Sequence, residues 1–139
     1  MREHSPEGNW EFIWKPSKDR ESLSRALDFS LVDSKIQPIE RIRIRVQVLE
    51  TLNRFVSTNQ VASRELKAIK VVTASDIREF RWKVICEGRP RKLRLYCSFL
   101  GREVTGLLFQ LKSESQDSDF LRIEQNLFIS EAVGVQREN

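Results

Sequence analysis

The chain has 139 residues, with 24 Lys or Arg, 20 Asp or Glu, one histidine and a formal net charge of +4. That is the size of a single domain and enough chain for a real hydrophobic core. No apolar run reaches the roughly 18 residues a spanning helix needs, and Met1–Gly8 lacks a signal peptide's apolar region, so a cytoplasmic protein with no membrane partner is expected.

Residues 1–8 are polar, contain Pro6 and Gly8, and read as a disordered tail, leaving 9–139 as one domain. Asn9 to Lys15 alternates apolar and polar residues and reads as a first strand ended by Pro16. Ser17 can cap a following helix that has Leu23, Ala26, Leu27 and Leu31 at helical spacing. Pro38 restarts the chain. The run Arg41–Val48 alternates like a strand, but a helix over about 39–56 accounts for the whole segment, including Leu49 to Phe55, and is preferred. On that helix Ile39, Ile42, Val46, Leu49, Asn53 and Val56 form one stripe, and Arg41, Arg45 and Gln47 fall on a solvated flank.

Residues 57–76 read as loop, with a basic stretch at Arg64–Lys70. Three strands come next, Ile77–Cys86, Arg91–Phe99 and Glu103–Leu111. Glu87–Pro90 has the chemistry of a four-residue turn, and Gly101-Arg102 suits a type II′ hairpin with Gly first. A closing helix from about Ser118 to Val133 is expected to bury Phe120, Ile123, Leu127 and Phe128. The fold class is therefore α+β: a strand and two helices, a three-stranded antiparallel meander, and a C-terminal helix.

Charge is concentrated in the meander. From Arg78 to Lys112 nine Lys or Arg face three acids, a net +6 that leaves the remainder slightly acidic. Such a basic segment with aromatics is the electrostatic pattern of a nucleic-acid binder, and also of a solvated sheet face. If the turn 87–90 has four residues, Cys86 lies opposite Arg91. One face then holds Phe80, Trp82, Val84, Leu93, Leu95 and Cys97. The other places Arg81 opposite Tyr96 and Lys83 opposite Arg94, with Lys92 nearby. Like charges set opposite each other are unfavourable, which suits an anion seated there, a phosphate or an acidic segment of a partner, or two long side chains splayed into water. Leu107, Phe109 and Leu111 would add to this charged face. Cys86 and Cys97 are not cross-strand partners and read as buried thiols. No metal cluster, Gly-rich phosphate loop or nucleophile elbow is present, so no metal or other cofactor is expected.

The segment Asp76-Ile77-Arg78-Glu79-Phe80-Arg81-Trp82, then Leu93-Arg94-Leu95-Tyr96, Gly101 and Leu107–Gln116, resembles the RelE/HigB/ParE superfamily of type II toxins. The likeness spans roughly residues 9–133 and includes the order of elements. It implies a growth-inhibiting toxin, HigB-like, that cuts mRNA on the ribosome and is neutralised by a cognate antitoxin. Such an endoribonuclease uses the RNA 2′-hydroxyl as nucleophile. Carried onto this chain, it makes Arg94 the clamp on the scissile phosphate, with Arg81 and Lys112 binding RNA. Lys83 joins by register, and Lys83 or Lys112 is the candidate base. Tyr96, Arg78 and Lys92 complete the RNA-binding set. The chain departs from the pattern at Lys112-Ser113, where a double Lys is usual, and at Phe120, where some nucleases place a catalytic Tyr. A non-catalytic module on the same fold, a gyrase inhibitor or a protein that only binds antitoxin or RNA, is the alternative.

Overall fold

The computed structural model describes residues 11–14, 23–31, 36–58, 66–68 and 77–137. In chain order the elements are β1 (Glu11–Trp14), α1 (Leu23–Ser30), α2 (Pro38–Thr58), β2 (Leu66–Ala68), β3 (Ile77–Cys86), β4 (Arg89–Leu100), β5 (Glu103–Leu111) and α3 (Ser118–Arg137). The expected tail and Ser17 cap lie outside the described residues. The α+β class and the helix over 39–56 match expectation, and β2 is an element the sequence did not reveal. No helix among the described residues is long and apolar enough to cross a membrane.

One mixed sheet runs β1-β5-β4-β3-β2, with β1 parallel to β5 and the other pairs antiparallel. Two cores form on its two faces. On one, Ala26, Leu27 and Leu31 of the α1 region and Ile44, Val48, Leu52 and Phe55 of α2 pack on Phe80, Trp82, Val84, Leu93, Leu95 and Phe109. On the other, Ile129 and Ala132 of α3 pack on Ile77, Tyr96, Leu107 and Leu108. Burying a side chain of this kind contributes roughly 1.5–3 kcal/mol, and both faces draw on it. Thr51 is buried among the first set, where its hydroxyl accepts the Trp82 Nε1 hydrogen at 2.8 Å and donates to the Gln47 carbonyl at 3.2 Å.

The first hairpin differs from expectation. Its turn is the two residues Glu87-Gly88, and β4 starts at Arg89, with Cys86 opposite Arg89. Both turn residues have positive φ, 54° and 74°, as a type I′ turn requires. Glu87 pays the steric penalty of a non-glycine residue there, and Glu40 offsets it. The Glu40 carboxylate accepts the backbone N–H of Glu87 (3.0 Å) and Gly88 (3.1 Å), and these bonds hold its pKa below the ordinary carboxylate value. Pro90 misled the four-residue reading. It sits in β4 beyond the point where β5 pairs, so its missing N–H costs no ladder bond. The Gly101-Arg102 hairpin is as expected, with only Gly101 at positive φ (59°).

A slip of two residues preserves which face each side chain occupies but changes its neighbours. Arg81 therefore lies opposite Arg94, Lys83 opposite Lys92, and Glu79 opposite Tyr96. On β5 the expected face assignment fails. The register shifts between Tyr96 and Cys97, so Tyr96 faces Leu108 while Cys97 faces Gly106, and Leu107 is an extra residue. Phe109 and Leu111 consequently join the α1–α2 core, and Leu107 and Leu108 both reach the α3 cluster. Cys86 and Cys97 are free, buried thiols, as expected.

Both long helices turn a different side inward than their apolar spacing suggests. On α2 the buried positions are Ile44, Val48, Thr51, Leu52 and Phe55, while Ile39, Ile42 and Val46 are about half exposed. Apolar residues occur on both flanks of this helix, so periodicity alone offers two stripes. Arg41 and Arg45 are not simply solvated. Arg41 donates to the Leu31 carbonyl at 3.3 Å, and Arg45 reaches both Asp28 oxygens at 3.1 Å, which ties α1 to α2. On α3, Phe120, Ile123 and Leu127 are exposed, and Ile129 and Ala132 are the buried residues.

Candidate functional site

The charged face of β3–β4 divides into a buried part and an open part. The buried part centres on Glu79, which is 1% exposed. Its Oε1 accepts the Arg81 Nε hydrogen at 2.6 Å, and the Arg94 Nε lies 3.1 Å from the same oxygen as an ion-pair contact, off the hydrogen-bond line. Gln125 of α3 donates to Glu79 Oε2 at 3.1 Å. The like charges of Arg81 and Arg94, opposed across the ladder, are thus bridged from within by the acid two residues upstream of Arg81 on the same strand face. That alternation, acid then Arg at i+2, was the signal in the sequence for this pairing.

Around this centre a polar network runs under α3. Gln110 Oε1 accepts from the Tyr96 hydroxyl at 2.6 Å and weakly from Arg94 Nη1 at 3.4 Å. Glu124 of α3 accepts from the Ser113 backbone N–H at 3.3 Å, the Ser113 hydroxyl, and Gln110 Nε2 at 3.5 Å. Arg94 is 4% exposed and Tyr96 is fully buried. Burial, together with the negative charge of Glu79, pushes the Tyr96 phenol well above its ordinary value, so it stays neutral. Both side chains are buried in this arrangement and lie apart from the open cleft. Removing two charges from water is costly, and a buried pair is weak evidence for stability. Glu79, Gln110, Glu124 and Gln125 were not foreseen as parts of this site.

The open part is a cleft of about 750 Å³ between the β3–β4 hairpin, the 112–115 segment and the start of α3. Arg81, Lys83, Arg91, Lys92 and Lys112 line it, together with Gln47, Ser113, Glu114 and Leu121. The backbone joins two of these cations directly, since the Lys112 N–H donates to the Lys92 carbonyl at 2.9 Å. Arg91 donates to the Lys112 carbonyl at 2.7 Å, and Gln47 donates to the Lys83 carbonyl at 3.0 Å. Glu114 is engaged by Arg89 at 3.0 Å. Lys83, Lys92 and Lys112 are left without a carboxylate partner among the described residues.

Lys83 and Lys92 face each other across the ladder, and Lys112 adjoins Lys92. The consequence falls on Lys92, which is half-buried. Burial first, then the cations Lys112, Arg81 and Arg94, lower its pKa from the ordinary lysine value. Four of the seven expected site residues therefore share this cleft: Arg81, Lys83, Lys92 and Lys112. Arg94 and Tyr96 lie beneath α3. Arg78 is on the opposite face, its guanidinium 5.4 Å from the centre of the Phe99 ring. By strand parity it shares the face of Phe80 and Trp82 and lies away from this cleft.

Among the described residues no three His, Cys, Asp or Glu side chains come together as a metal site. What the cleft can do is hold an extended anion along unpaired ammonium groups. Its one side chain with a lowered lysine pKa can exchange a proton nearer neutrality than an ordinary lysine. Comparison of the chain with protein-family models, with curated proteins and with solved structures found no match.

Proposed function

We propose that this protein binds the phosphodiester backbone of RNA in the cleft of Arg81, Lys83, Lys92 and Lys112. In this proposal it acts as the toxin of a type II toxin–antitoxin pair, a RelE/HigB/ParE-like endonuclease of ribosome-bound mRNA. The observation that carries the binding is the convergence of three lysines that no carboxylate of the described residues pairs, the cleft's Glu114 being engaged by Arg89. Phosphate contacts are what such a surface serves best. The toxin assignment draws on the sequence resemblance, and the α+β class is compatible with it. In cleavage, Lys92 is the group best suited to take the proton of an attacking 2′-hydroxyl, because burial and the neighbouring cations disfavour its charged form. Lys83 and Lys112 would balance charge on the phosphate.

A second function, RNA or antitoxin binding without cleavage, is favoured by the burial of Arg94 and Tyr96. Induced expression with mapping of mRNA 5′ ends separates the two. Growth arrest with new 5′ ends that disappear in Lys92→Ala supports cleavage. Arrest without new ends sinks the nuclease and leaves the binding module.

A further inference from the structure

Helix α3 is inside out over its first half. From Ser118 to Leu127 the contacts made to the sheet side are polar, with Gln125 bonded to Glu79 and Glu124 to Ser113 and Gln110. Three apolar residues instead stand in solvent beside Asp119, Arg122 and Asn126: Phe120 is 47% exposed, Ile123 55% and Leu127 66%. The second half has ordinary polarity, with Ile129 and Ala132 buried against the sheet. Hydrophobic burial therefore anchors only the C-terminal half. The N-terminal half is held by side-chain hydrogen bonds, each exchangeable with water at a small net cost. It is preceded by 112–117, which has no helix or strand. Beneath this half lies the Arg94–Glu79 pair, two ionic groups that regain hydration if the cover is removed. Leu121 of the same half forms part of the cleft wall.

We propose that the Ser118–Leu127 half of α3 is a lid that lifts from the sheet and brings Arg94 into the cation cleft. Closed, Arg94 is held by Glu79 and the cleft offers lysines at its floor. Open, the guanidinium adds a planar, bidentate phosphate donor beside Arg81. The ligand rests on the reading above, a phosphodiester chain, whereas the lid itself rests on the packing.

Spin labels at Ile123→Cys and Leu100→Cys test it. Both positions are exposed, so folding is not at stake, and the native thiols Cys86 and Cys97 are buried. The expected result is two distance populations, the longer growing in Glu124→Ala/Gln125→Ala, which removes the polar tethers. A short oligouridylate should enlarge the longer population further in the tethered chain. A single narrow distance in all three conditions overturns the lid. If the oligouridylate binds and leaves the populations unmoved, the link to Arg94 is overturned. Two populations with no oligouridylate binding would uphold the lid and reject the RNA proposal.

Discussion

The steepness with which RNA binding falls as salt is added can be worked from the cleft. Lys83, Lys92 and Lys112 are its cations without a carboxylate or carbonyl partner among the described residues, whereas Arg81 is held by Glu79 and Arg91 by the Lys112 carbonyl. Each phosphate neutralised on a single strand contributes about −0.7 to the slope of log affinity against log salt, so three give about −2. From 50 to 200 mM salt, affinity for a short oligouridylate should then drop about 20-fold. Lys92→Gln removes one contact, which reduces the slope by about 0.7 and the drop to about 7-fold. Fluorescence anisotropy of a labelled oligonucleotide measures both, with Arg78→Gln as the control. Arg78 carries the same charge on the opposite face of the sheet, so its removal should leave the slope nearly unchanged. Equal effects of the two substitutions would refute the localisation to the cleft. A wild-type slope near zero would refute phosphate binding altogether.

Thr51→Val should destabilise the fold by about 1–3 kcal/mol, because the buried Trp82 indole N–H loses its acceptor while shape is retained. The urea midpoint reports the loss, and an unchanged midpoint would mean that Trp82 finds another partner. Alkaline pH should also weaken the protein. Burial holds the Cys97 thiol well above its ordinary 9.0, so above that pH the unfolded chain releases a proton that the folded chain retains. The stability is intact below about pH 9 and declines by up to about 1.4 kcal/mol per pH unit beyond it. Tyr96 adds to the decline above its ordinary 10.0, whereas Lys92, with its lowered pKa, opposes it below 10.5. Cys97→Ala should therefore flatten the dependence of the urea midpoint between pH 8 and 10. Parallel curves for the two proteins would rule out Cys97 as a cause.

The order of elements was legible because hydrophobic period and turn chemistry are local. Arg41–Val48 shows why length matters: its alternation suits a strand, yet only a helix also accommodates Leu49 to Phe55. Face assignment on β3 and β4 was legible for the same reason, since parity survives a slip of two. Register was not, because Pro90 offers turn chemistry at a place where the ladder has merely run out of a neighbour. Nor could the outward stripes of α2 and α3 be foreseen. Each helix carries two candidate faces, and the choice is made by what the sheet presents. Beneath α3 that is Glu79, Gln110 and Ser113, which select Gln125 and Glu124 over Phe120 and Ile123. The basic character of the site was visible in composition, but its division into an ion-paired interior and an open cleft depends on contacts between strands and helix.

The extra residue in β5 has a bearing on how this cleft can vary. Since Leu107 and Leu108 both point toward α3 while Gly106 and Phe109 keep step with the other core, β5 carries one spare residue. Losing either leucine would leave a plain ladder with both halves still in phase, Gln110 still beneath Tyr96 and Lys112 still beside Lys92. Losing a residue elsewhere in the strand would put one half out of step. Strand β5 can therefore shorten at one place without disturbing the cleft, and the tolerance is set by backbone count rather than by the side chains that line it.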